Sequence, residues 1–316
     1  MKQKPMKIGV SATFAVALGA DTGKEGEYLQ QIARVLEDSG YDSIWLADRT
    51  VYPVDLMALY PDRWGPGQAD PQGQNVIEPL TSMSFVAGCT KTLQLGFSVL
   101  ILPLRHPVMN AKMISTLDVL SGGRVIFGAG IGWMPEEFEG MSADFHTRGR
   151  VTDEHIEMFK TLCGEDGATY QGEHFQVSGK TFYPKPIQKP HPPIWIAGNS
   201  RAAIHRAVRH GDGWFPIGLR VEELLEGKET LKEICERDGR DPDSVTVALS
   251  LSLRMGRSVS SPDGNRQPLS GAMFQISDDV RRYEDSGLDH LVFSVSIADP
   301  NIALDSIKRF ADEIIR

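Results

Sequence analysis

Short β-rich segments alternate with amphipathic helical segments from one end of the 316-residue chain to the other. About eight strand-then-helix units can be counted, which is the number that a closed (β/α)8 barrel requires. The predicted strands are Lys7–Ser11, Ser43–Ala47, Gln94–Val99, Arg124–Ala129, Pro193–Ala197, Gly213–Pro216, Val245–Leu251 and His290–Ser294. We therefore predict an α/β fold of the (β/α)8 TIM-barrel class.

The segments between these strands have apolar residues at helical spacing. The predicted helices are Glu25–Ser39, Ile77–Cys89, Pro107–Leu120, Arg150–Leu162, Arg201–His210, Val221–Arg237, Ile276–Asp285 and Asn301–Ile315. A doubly wound open sheet is the alternative fold, but it predicts a glycine-rich nucleotide fingerprint after the first strand. That position reads SATFAVALGA, which favours the barrel.

Three segments are too long for plain connectors and interrupt the barrel pattern. They are a Pro-, Gly- and Asp-rich segment at about 49–75, a β-hairpin with a proline-rich end at about 165–190, and a polar Gly/Ser/Pro stretch at about 256–271. A loop as long as the first of these is usually functional or mobile. Because α/β barrels routinely occupy about this chain length as one unit, we predict that residues 1–316 form a single barrel domain with these insertions.

The charge balance argues against a nucleic acid as the main partner. The 33 lysine and arginine residues against 42 aspartate and glutamate residues give a net charge of -9, the wrong sign for binding a phosphate backbone. No apolar run approaches the roughly 20 residues that span a bilayer, and the N-terminus lacks the apolar region of a signal peptide. Three isolated cysteines indicate a reducing, cytoplasmic setting, and small molecules are the expected partners.

Motifs for metal binding and for nucleophilic catalysis are absent from the sequence. The eight histidines show neither H-x-x-x-H nor H-E-x-x-H spacing, and the sequence contains no Cys-x-x-Cys pair, P-loop or G-x-S-x-G turn. We therefore expect no metal site. An enzyme with this sequence would take its chemistry from an organic cofactor.

In a barrel of this class, binding residues lie at the C-terminal ends of the strands and in the loops that follow them. The segment GAGIGW ends the fourth predicted strand, but Trp133 stands where a G-x-G-x-x-G motif needs its third glycine. Glycines beside a tryptophan suit a flat aromatic ring, or serve only a tight turn. The other strand-end candidates are Thr13, Phe14, Asp48, Arg49, Ser98, Val99, Ala197, Gly198, Asn199, Ser200, Asp212 and Trp214.

Several of these candidates have a structural interpretation beside the functional one. Asp48 is a base or a polar contact to a ring, or it only begins a turn. Arg49 holds an anionic group or pairs with a nearby carboxylate. The segment Gly198, Asn199 and Ser200 precedes a predicted helix. It binds a phosphate at the helix N-terminus, or Ser200 only caps that helix. Glu136 and Glu137 are expected at a solvated helix start.

Several longer blocks of the sequence resemble the luciferase-like monooxygenase superfamily, in particular the bacterial oxidoreductases that use FMN or the deazaflavin coenzyme F420. The blocks are MKIGVSATF, YDSIWLADR, LQLGFSVLILPLRHPVMNAKMISTLDVLSGGRVIFGAGIGWMPEEFEGM, RGRVTDEHIEMFKTL and PKPIQKPHPPIWIAGNSRAAIHRAVRHGDGWFP. They cover almost the whole chain, although the C-terminal third is the least distinctive. The combination within residues 95–133 is highly specific.

The resemblance implies a homodimeric oxidoreductase whose barrel mouth holds an isoalloxazine-type ring. Ser98 and Val99 would form a bulge with a non-prolyl cis peptide behind the ring centre. Asp48 would approach the ring edge and would act in catalysis together with Trp133. The other implied cofactor contacts are Thr13, Gly130, Ile131 and Gly132 around the ring, and Ala197, Gly198, Asn199 and Ser200 at the side-chain phosphate.

Two positions depart from the pattern of that family. Many relatives have His after the strand-two Asp, where this chain has Arg49, which cannot act as a general base at neutral pH. Relatives that oxidise a phosphorylated sugar have Glu where this chain has Trp133, so we do not expect that activity. In the first long loop, Tyr52, Tyr60 and Trp64 indicate a hydrophobic organic substrate, or they pack the loop itself.

The segments LPLRHP, LDVLSGGR and GIGW resemble most closely the branch of the family that uses F420. We therefore expect F420-dependent hydride transfer with a small, hydrophobic organic substrate. One alternative is an FMN-dependent monooxygenase that uses reduced flavin and O2, and another is a non-catalytic flavin-binding barrel without proton-transfer groups. An aldolase-like barrel needs a strand-end lysine or metal ligands, which the strand ends lack.

Overall fold

The computed structural model describes residues 5–13, 16, 23–61, 75–164, 166–261, 263–295 and 299–316. Within these ranges, eight parallel strand positions close into a barrel, and the last strand pairs with the first. The predicted (β/α)8 fold is therefore confirmed. The predicted positions Phe14 and Trp64 lie outside the described residues.

The strands follow one another around the barrel almost in chain order. They are β1 (Lys7–Ser11), β2 (Ser43–Leu46), β3 (Gln94–Phe97), β4 (Leu100–Ile101), β5 (Val125–Gly130), β6 (Ala168–Gln171), β7 (Gln176–Lys180), β8 (Ile194–Ala197), β9 (Gly213–Phe215), β10 (Thr246–Met255), β11 (Ser270–Gly271) and β12 (His290–Val295). The barrel order is β12, β1, β2, β3, β5, β8, β9 and β10, with β4 beside β5. Strands β6 and β7 form the separate antiparallel hairpin that the sequence predicts.

Helices surround this barrel and cover the outer face of the strands. They are α1 (Glu25–Asp38), α2 (Leu56–Leu59), α3 (Pro79–Cys89), α4 (Pro107–Ser121), α5 (Pro135–Gly140), α6 (Arg148–Cys163), α7 (Arg201–His210), α8 (Val221–Asp238), α9 (Met273–Asp285) and α10 (Pro300–Phe310). Their ends follow the local sequence: Pro107 begins α4, and Gly122, with φ 71°, ends it in the left-handed conformation that suits glycine. None of these helices in the described ranges has both the length and the apolar composition needed to cross a bilayer.

The predicted elements and the observed ones differ at a few ends. The predicted strand Gln94–Val99 stops at Phe97 and resumes as β4, because a bulge at Ser98 and Val99 interrupts the pairing. Strand β10 is longer than predicted and reaches Met255. Helix α2 was not predicted, since a segment of four residues is too short to show a helical period, and of α5 only a helix start at Glu136 and Glu137 was expected.

The interior of the barrel is filled by a compact aromatic layer. Trp45 from β2 stacks on Trp195 from β8 with ring centroids 5.2 Å apart, and Phe215 from β9 lies 5.0 Å from Trp45. Glycine is needed at position 96, because a Cβ there would lie 2.3 Å from the Trp45 ring. Val99 packs against this layer from the mouth of the barrel. The floor of the candidate site is therefore rigid and apolar.

Candidate active site

The closed parallel barrel brings the predicted site residues to one end. All eight strands run in the same direction, so their C-terminal ends and the loops after them surround a single mouth. The residues that the structure places at this end are Thr13, Asp48, Ser98, Val99, Gly130, Ile131, Gly132, Trp133, Ala197, Gly198, Asn199 and Ser200.

The junction between β3 and β4 is a bulge with a cis peptide bond between Ser98 and Val99, as the family resemblance implies. The Ser98 amide donates to the Leu46 carbonyl at 2.9 Å, and the Asp48 amide donates to the Val99 carbonyl at 3.2 Å. Both bulge residues are half-buried and open to the mouth. Backbone contacts with the end of β2 therefore fix the bulge in place.

The glycines at the end of β5 accommodate this bulge. A Cβ on Gly130 would lie 2.2 Å from Cγ2 of Val99, and a Cβ on Gly128 would lie 1.6 Å from the Phe97 carbonyl oxygen. Real Cβ atoms do not approach so closely, so any larger residue would displace the neighbouring strand. Because Phe97 and Val99 lie this close to β5, only glycine fits at these two positions of the GAGIGW segment.

Asp48 is a buried carboxylate that holds the segment after the bulge. Its Oδ2 accepts from the Ile101 amide at 3.0 Å and from Arg105 Nε at 2.8 Å, and its Oδ1 accepts from Arg105 Nη2 at 2.8 Å. Arg105 also pairs with Glu78 at 3.0 Å. Burial opposes the charge of Arg105, but its bonds to the two carboxylates outweigh that effect and raise its pKa. This bidentate pair fixes the chain between β4 and α4.

Arg49 pairs with a carboxylate, as one of its two interpretations predicts. Its Nη1 lies 2.6 Å from Oε2 of Glu137, and its guanidinium carbon lies 4.9 Å from the centroid of the Trp133 ring. Glu137 is fully buried in α5. The prediction of a solvated Glu137 is therefore wrong, because the Arg49 side chain and the Thr50 amide supply the partners that a buried carboxylate requires.

The segment from Ala197 to Ser200 connects β8 to the start of α7. Ser200 caps that helix, and its hydroxyl accepts from the Ala203 amide at 3.2 Å. The Asn199 side chain donates from Nδ2 to the Ile217 carbonyl at 2.8 Å, and its Oδ1 accepts from the Ile217 amide at 2.9 Å. The capping interpretation is thus confirmed for Ser200. The first turn of α7 follows directly after the C-terminal end of β8, and its Ala203 amide is already bonded to Ser200.

Thr13 lies at the end of β1 and is 4% exposed, too little for broad contact with a ligand. Its hydroxyl accepts from the Ala47 amide at 2.6 Å. Thr13 therefore ties β1 to the end of β2, directly before Asp48.

Among the described residues, a group of possible metal ligands lies where α6 meets the hairpin β6–β7. The ligand atoms of Glu154, Glu173 and His174 lie within 4.8 Å of one another. The Glu154 carboxylate already accepts from the amides of residues 173, 174 and 175, at 2.9, 2.8 and 3.1 Å. These bonds join the hairpin β6–β7 to α6. The spacing of histidines in the sequence could not predict this group, because its members come from two separate segments.

Sequence reasoning did not predict three sets of contacts at the mouth: those of Arg105, those of the buried Glu137, and the bond between Tyr60 and Glu136. The Tyr60 hydroxyl donates to Glu136 Oε2 at 2.6 Å. A signal for Arg105 existed, because a buried strand-end aspartate needs a cationic or amide partner. No comparable signal existed for the contacts of Tyr60 and Glu137, since they join segments that are 76 to 88 residues apart in the chain.

A comparison with protein families identifies the chain. The family model described as luciferase-like monooxygenase matches residues 6–261. The chain belongs to the luciferase-like monooxygenase family. Members of this family are oxidoreductases, so the expectation of a redox enzyme is confirmed at that level.

Individual proteins are also similar to this chain, one in sequence and one in structure. An uncharacterized protein of Mycobacterium tuberculosis is 32% identical over 220 residues, which are 70% of this chain and 75% of the relative. The long-chain alkane monooxygenase LadA has a TM-score of 0.79 at 18% identity and covers 99% of this chain and 91% of its own.

Solved structures with both kinds of cofactor share the barrel. A coenzyme F420-dependent tetrahydromethanopterin reductase from Methanopyrus kandleri has a TM-score of 0.76 at 16% identity, with 99% of both chains covered. A riboflavin lyase solved with modified FMN has a TM-score of 0.77 at 17% identity, with 98% of this chain and 91% of its own covered. At such low identity these structures show the fold alone.

The mouth of this luciferase-like barrel carries apolar side chains beside a helix N-terminus. Val99, Ile131, Trp133 and Ala197 are half-buried there, although the strands beneath them are almost fully buried. These residues offer an apolar surface, and the N-terminus of α7 offers amide donors beside it.

Proposed function

We propose that this luciferase-like protein is a coenzyme F420-dependent oxidoreductase that transfers hydride with a small, hydrophobic organic substrate. The observation that carries the proposal is the Ser98–Val99 bulge, which opens on the same mouth as the apolar end of β5 and the N-terminus of α7. The bound cofactor would supply the redox chemistry.

The residues of the chain would bind and orient that cofactor. Ser98 and Val99 would support the ring centre, and residues 130–133 would line its edge. Asp48 would approach the ring from the end of β2. Its pair with Arg105 would also hold the segment after the bulge in place. Residues 197–200 would receive the phosphate at the start of α7, where the helix dipole favours an anion. Trp133 would face the substrate.

FMN is the alternative cofactor, and titration separates the two. We expect the fluorescence of F420 to be quenched on binding to the purified protein, with a Kd at least about 10-fold below that of FMN at the same salt concentration. Tighter binding of FMN would replace the proposal with a flavin-dependent monooxygenase. Binding of neither cofactor would overturn both redox proposals.

The same protein is proposed to form a homodimer through the outer faces of α3 and α4. Both helices carry apolar residues on the side away from the barrel: Phe85 is 46% exposed, Met109 58% and Leu120 67%. Met113 continues this stripe one turn after Met109, and an apolar patch of this kind usually marks an interface.

The mass of the protein in solution tests the dimer. We expect light scattering to give twice the chain mass of 34.8 kDa, and Met113→Glu to reduce the mass to one chain, because a buried unpaired carboxylate is costly. Phe274→Glu is the matched control, since Phe274 is 75% exposed on the distant helix α9. A single-chain mass for the unchanged protein would overturn the proposal.

We also propose that residues 1–316 act as one domain in a reducing, cytoplasmic setting. The three cysteines support the setting: Cys163 and Cys235 are buried, Cys89 is half-buried, and all three are free thiols.

A further inference from the structure

Glu137 is a fully buried carboxylate at the barrel mouth, and its hydrogen-bond partners Arg49 and Thr50 both belong to the start of the long loop. Its side chain is 0% exposed. Oε2 accepts from Arg49 Nη1 at 2.6 Å, and Oε1 accepts from the Thr50 amide at 2.8 Å. A buried charge of this kind is tolerated only when it is fully paired, so the pair fixes the first residues of the long loop on α5.

Arg49 in turn lies against Trp133. The guanidinium carbon is 4.9 Å from the centroid of the indole ring, within the range of a cation–π contact. The Tyr60 ring meets the same indole nearly at a right angle, 85°, with centroids 5.1 Å apart. Trp133 is thus held by two neighbours from the long loop.

The start of the loop packs closely against α5 at Val51 and Gly140. A Cβ on Gly140 would lie 2.8 Å from Cγ2 of Val51. Beside this contact, burial raises the pKa of Tyr52, and its neighbours Arg49 and Glu137 act on that pKa in opposite directions. The side of the mouth built from Arg49, Tyr60, Trp133, Glu136 and Glu137, which we call the Trp133 wall, is therefore a packed unit.

Within the part of the chain that the structure describes, the charges around the Trp133 wall sum to a negative value. Four carboxylates, those of Asp48, Glu78, Glu136 and Glu137, meet two guanidinium groups, those of Arg49 and Arg105, which leaves a formal balance of 2 − 4 = −2. Both arginines are paired with carboxylates. Among the described residues of this wall, an anionic ligand would therefore meet repulsion rather than a free cation.

We propose that Glu137 is a positioning residue that holds Arg49 against Trp133 and cancels its charge, so that the Trp133 wall selects uncharged apolar groups over carboxylates. This inference rests on the proposed function, which places the substrate at this mouth. It deepens that function by assigning the selectivity to one buried carboxylate.

Two small probes of equal shape test the selectivity without a known substrate. Benzamide and benzoate differ only in charge and in one group, and their binding to the cofactor-free protein is followed by Trp133 fluorescence, with Trp133→Phe as the blank. We expect the unchanged protein to bind benzamide at least about 10-fold more tightly than benzoate. Glu137→Gln, which leaves Arg49 uncompensated, should lower this ratio at least about 10-fold.

Further variants separate charge from a merely structural effect. Arg49→Gln should raise the ratio of benzamide to benzoate affinity, because it leaves Glu137 without its cation. The double variant Glu137→Gln/Arg49→Gln is neutral at this pair and should restore the original ratio, even if one single variant fails to fold. A purely structural role would change the affinities of both probes equally.

The inference is overturned if the unchanged protein binds benzoate as tightly as benzamide, if it binds neither probe up to about 100 mM, or if Glu137→Gln leaves the ratio unchanged. Titration of the unchanged protein and of Glu137→Gln with F420 tests the proposed function independently of the probe ratio. If Glu137→Gln keeps its F420 affinity but loses the preference for benzamide, both proposals are supported. If the unchanged protein binds F420 but shows no preference between the probes, only this inference is overturned.

Discussion

Acidification from about pH 6.5 to about pH 4.5 is expected to lower the free energy of unfolding by about 5 kcal/mol. The reason is that His155 and His290 are buried and remain neutral in the folded protein. Burial lowers the pKa of each to about 3. Among the described residues, neither histidine has a carboxylate partner that would stabilise a proton on its ring.

His290 lies inside the barrel on β12. Its Nε2 is 2.8 Å from the Ser43 hydroxyl, and the rings of Trp45 and Trp195 meet it edge to face at 5.8 and 5.3 Å. His155 lies between α6 and α4, where its Nε2 is 3.0 Å from Nδ2 of Asn110. A proton on either ring would place an unpaired charge in an apolar interior.

The direction of the effect follows from proton counting. Between about pH 6.5, where a histidine titrates in the unfolded chain, and about pH 3, where these two titrate in the folded protein, the unfolded state binds more protons. Stability therefore falls as the pH falls, by about 1.4 kcal/mol per pH unit for each histidine. Carboxylates with a lowered pKa, such as Glu78 and Glu157, add to the loss only nearer pH 4.

Urea unfolding at a series of pH values measures this slope. His155→Gln and His290→Gln should each halve it, and glutamine is chosen because its side-chain amide oxygen can accept a hydrogen bond in place of the ring Nε2. His146→Gln is the control, since His146 is exposed and its removal should leave the slope unchanged. A slope near zero over this pH range for the unchanged protein would contradict the prediction.

Gly128→Ala is the second change with a large expected effect. The new methyl group would lie 1.6 Å from the Phe97 carbonyl oxygen, which belongs to a neighbouring barrel strand and cannot rotate away. We expect a loss of about 3 kcal/mol in the free energy of unfolding, at the upper end of overpacking effects. Because Phe97 precedes the Ser98–Val99 bulge, F420 affinity should also fall at least about 10-fold.

Gly88→Ala provides a matched control for this substitution. Gly88 lies in α3, a Cβ added there would have no heavy atom within 4 Å, and the position does not need a positive φ. Alanine there should raise stability by up to about 1 kcal/mol, because it favours the helix. Denaturant midpoints of the two variants give the comparison, and equal midpoints for Gly128→Ala and the unchanged protein would show that the strands can separate at no cost.

The sequence alone determined the barrel and the location of its mouth. The alternation of strands and helices required only local periodicity, and helix α7 and strand β1 were predicted with the bounds observed. The blocks that resemble the family also indicated the bulge at Ser98 and Val99, which the structure confirms as a cis peptide. Residues at strand ends could be named because parallel strands place their C-terminal ends together.

Only the tertiary structure decided how the charged residues at that mouth pair. Asp48 meets Arg105 across 57 positions and Arg49 meets Glu137 across 88, so the sequence indicates that each needs a partner of opposite charge but not which residue it is. Glu137 illustrates the limit: a glutamate in the first turn of a short helix is usually solvated, and it is buried here because the long loop folds back onto α5. Burial and partner choice depend on contacts between distant segments, which sequence periodicity does not encode.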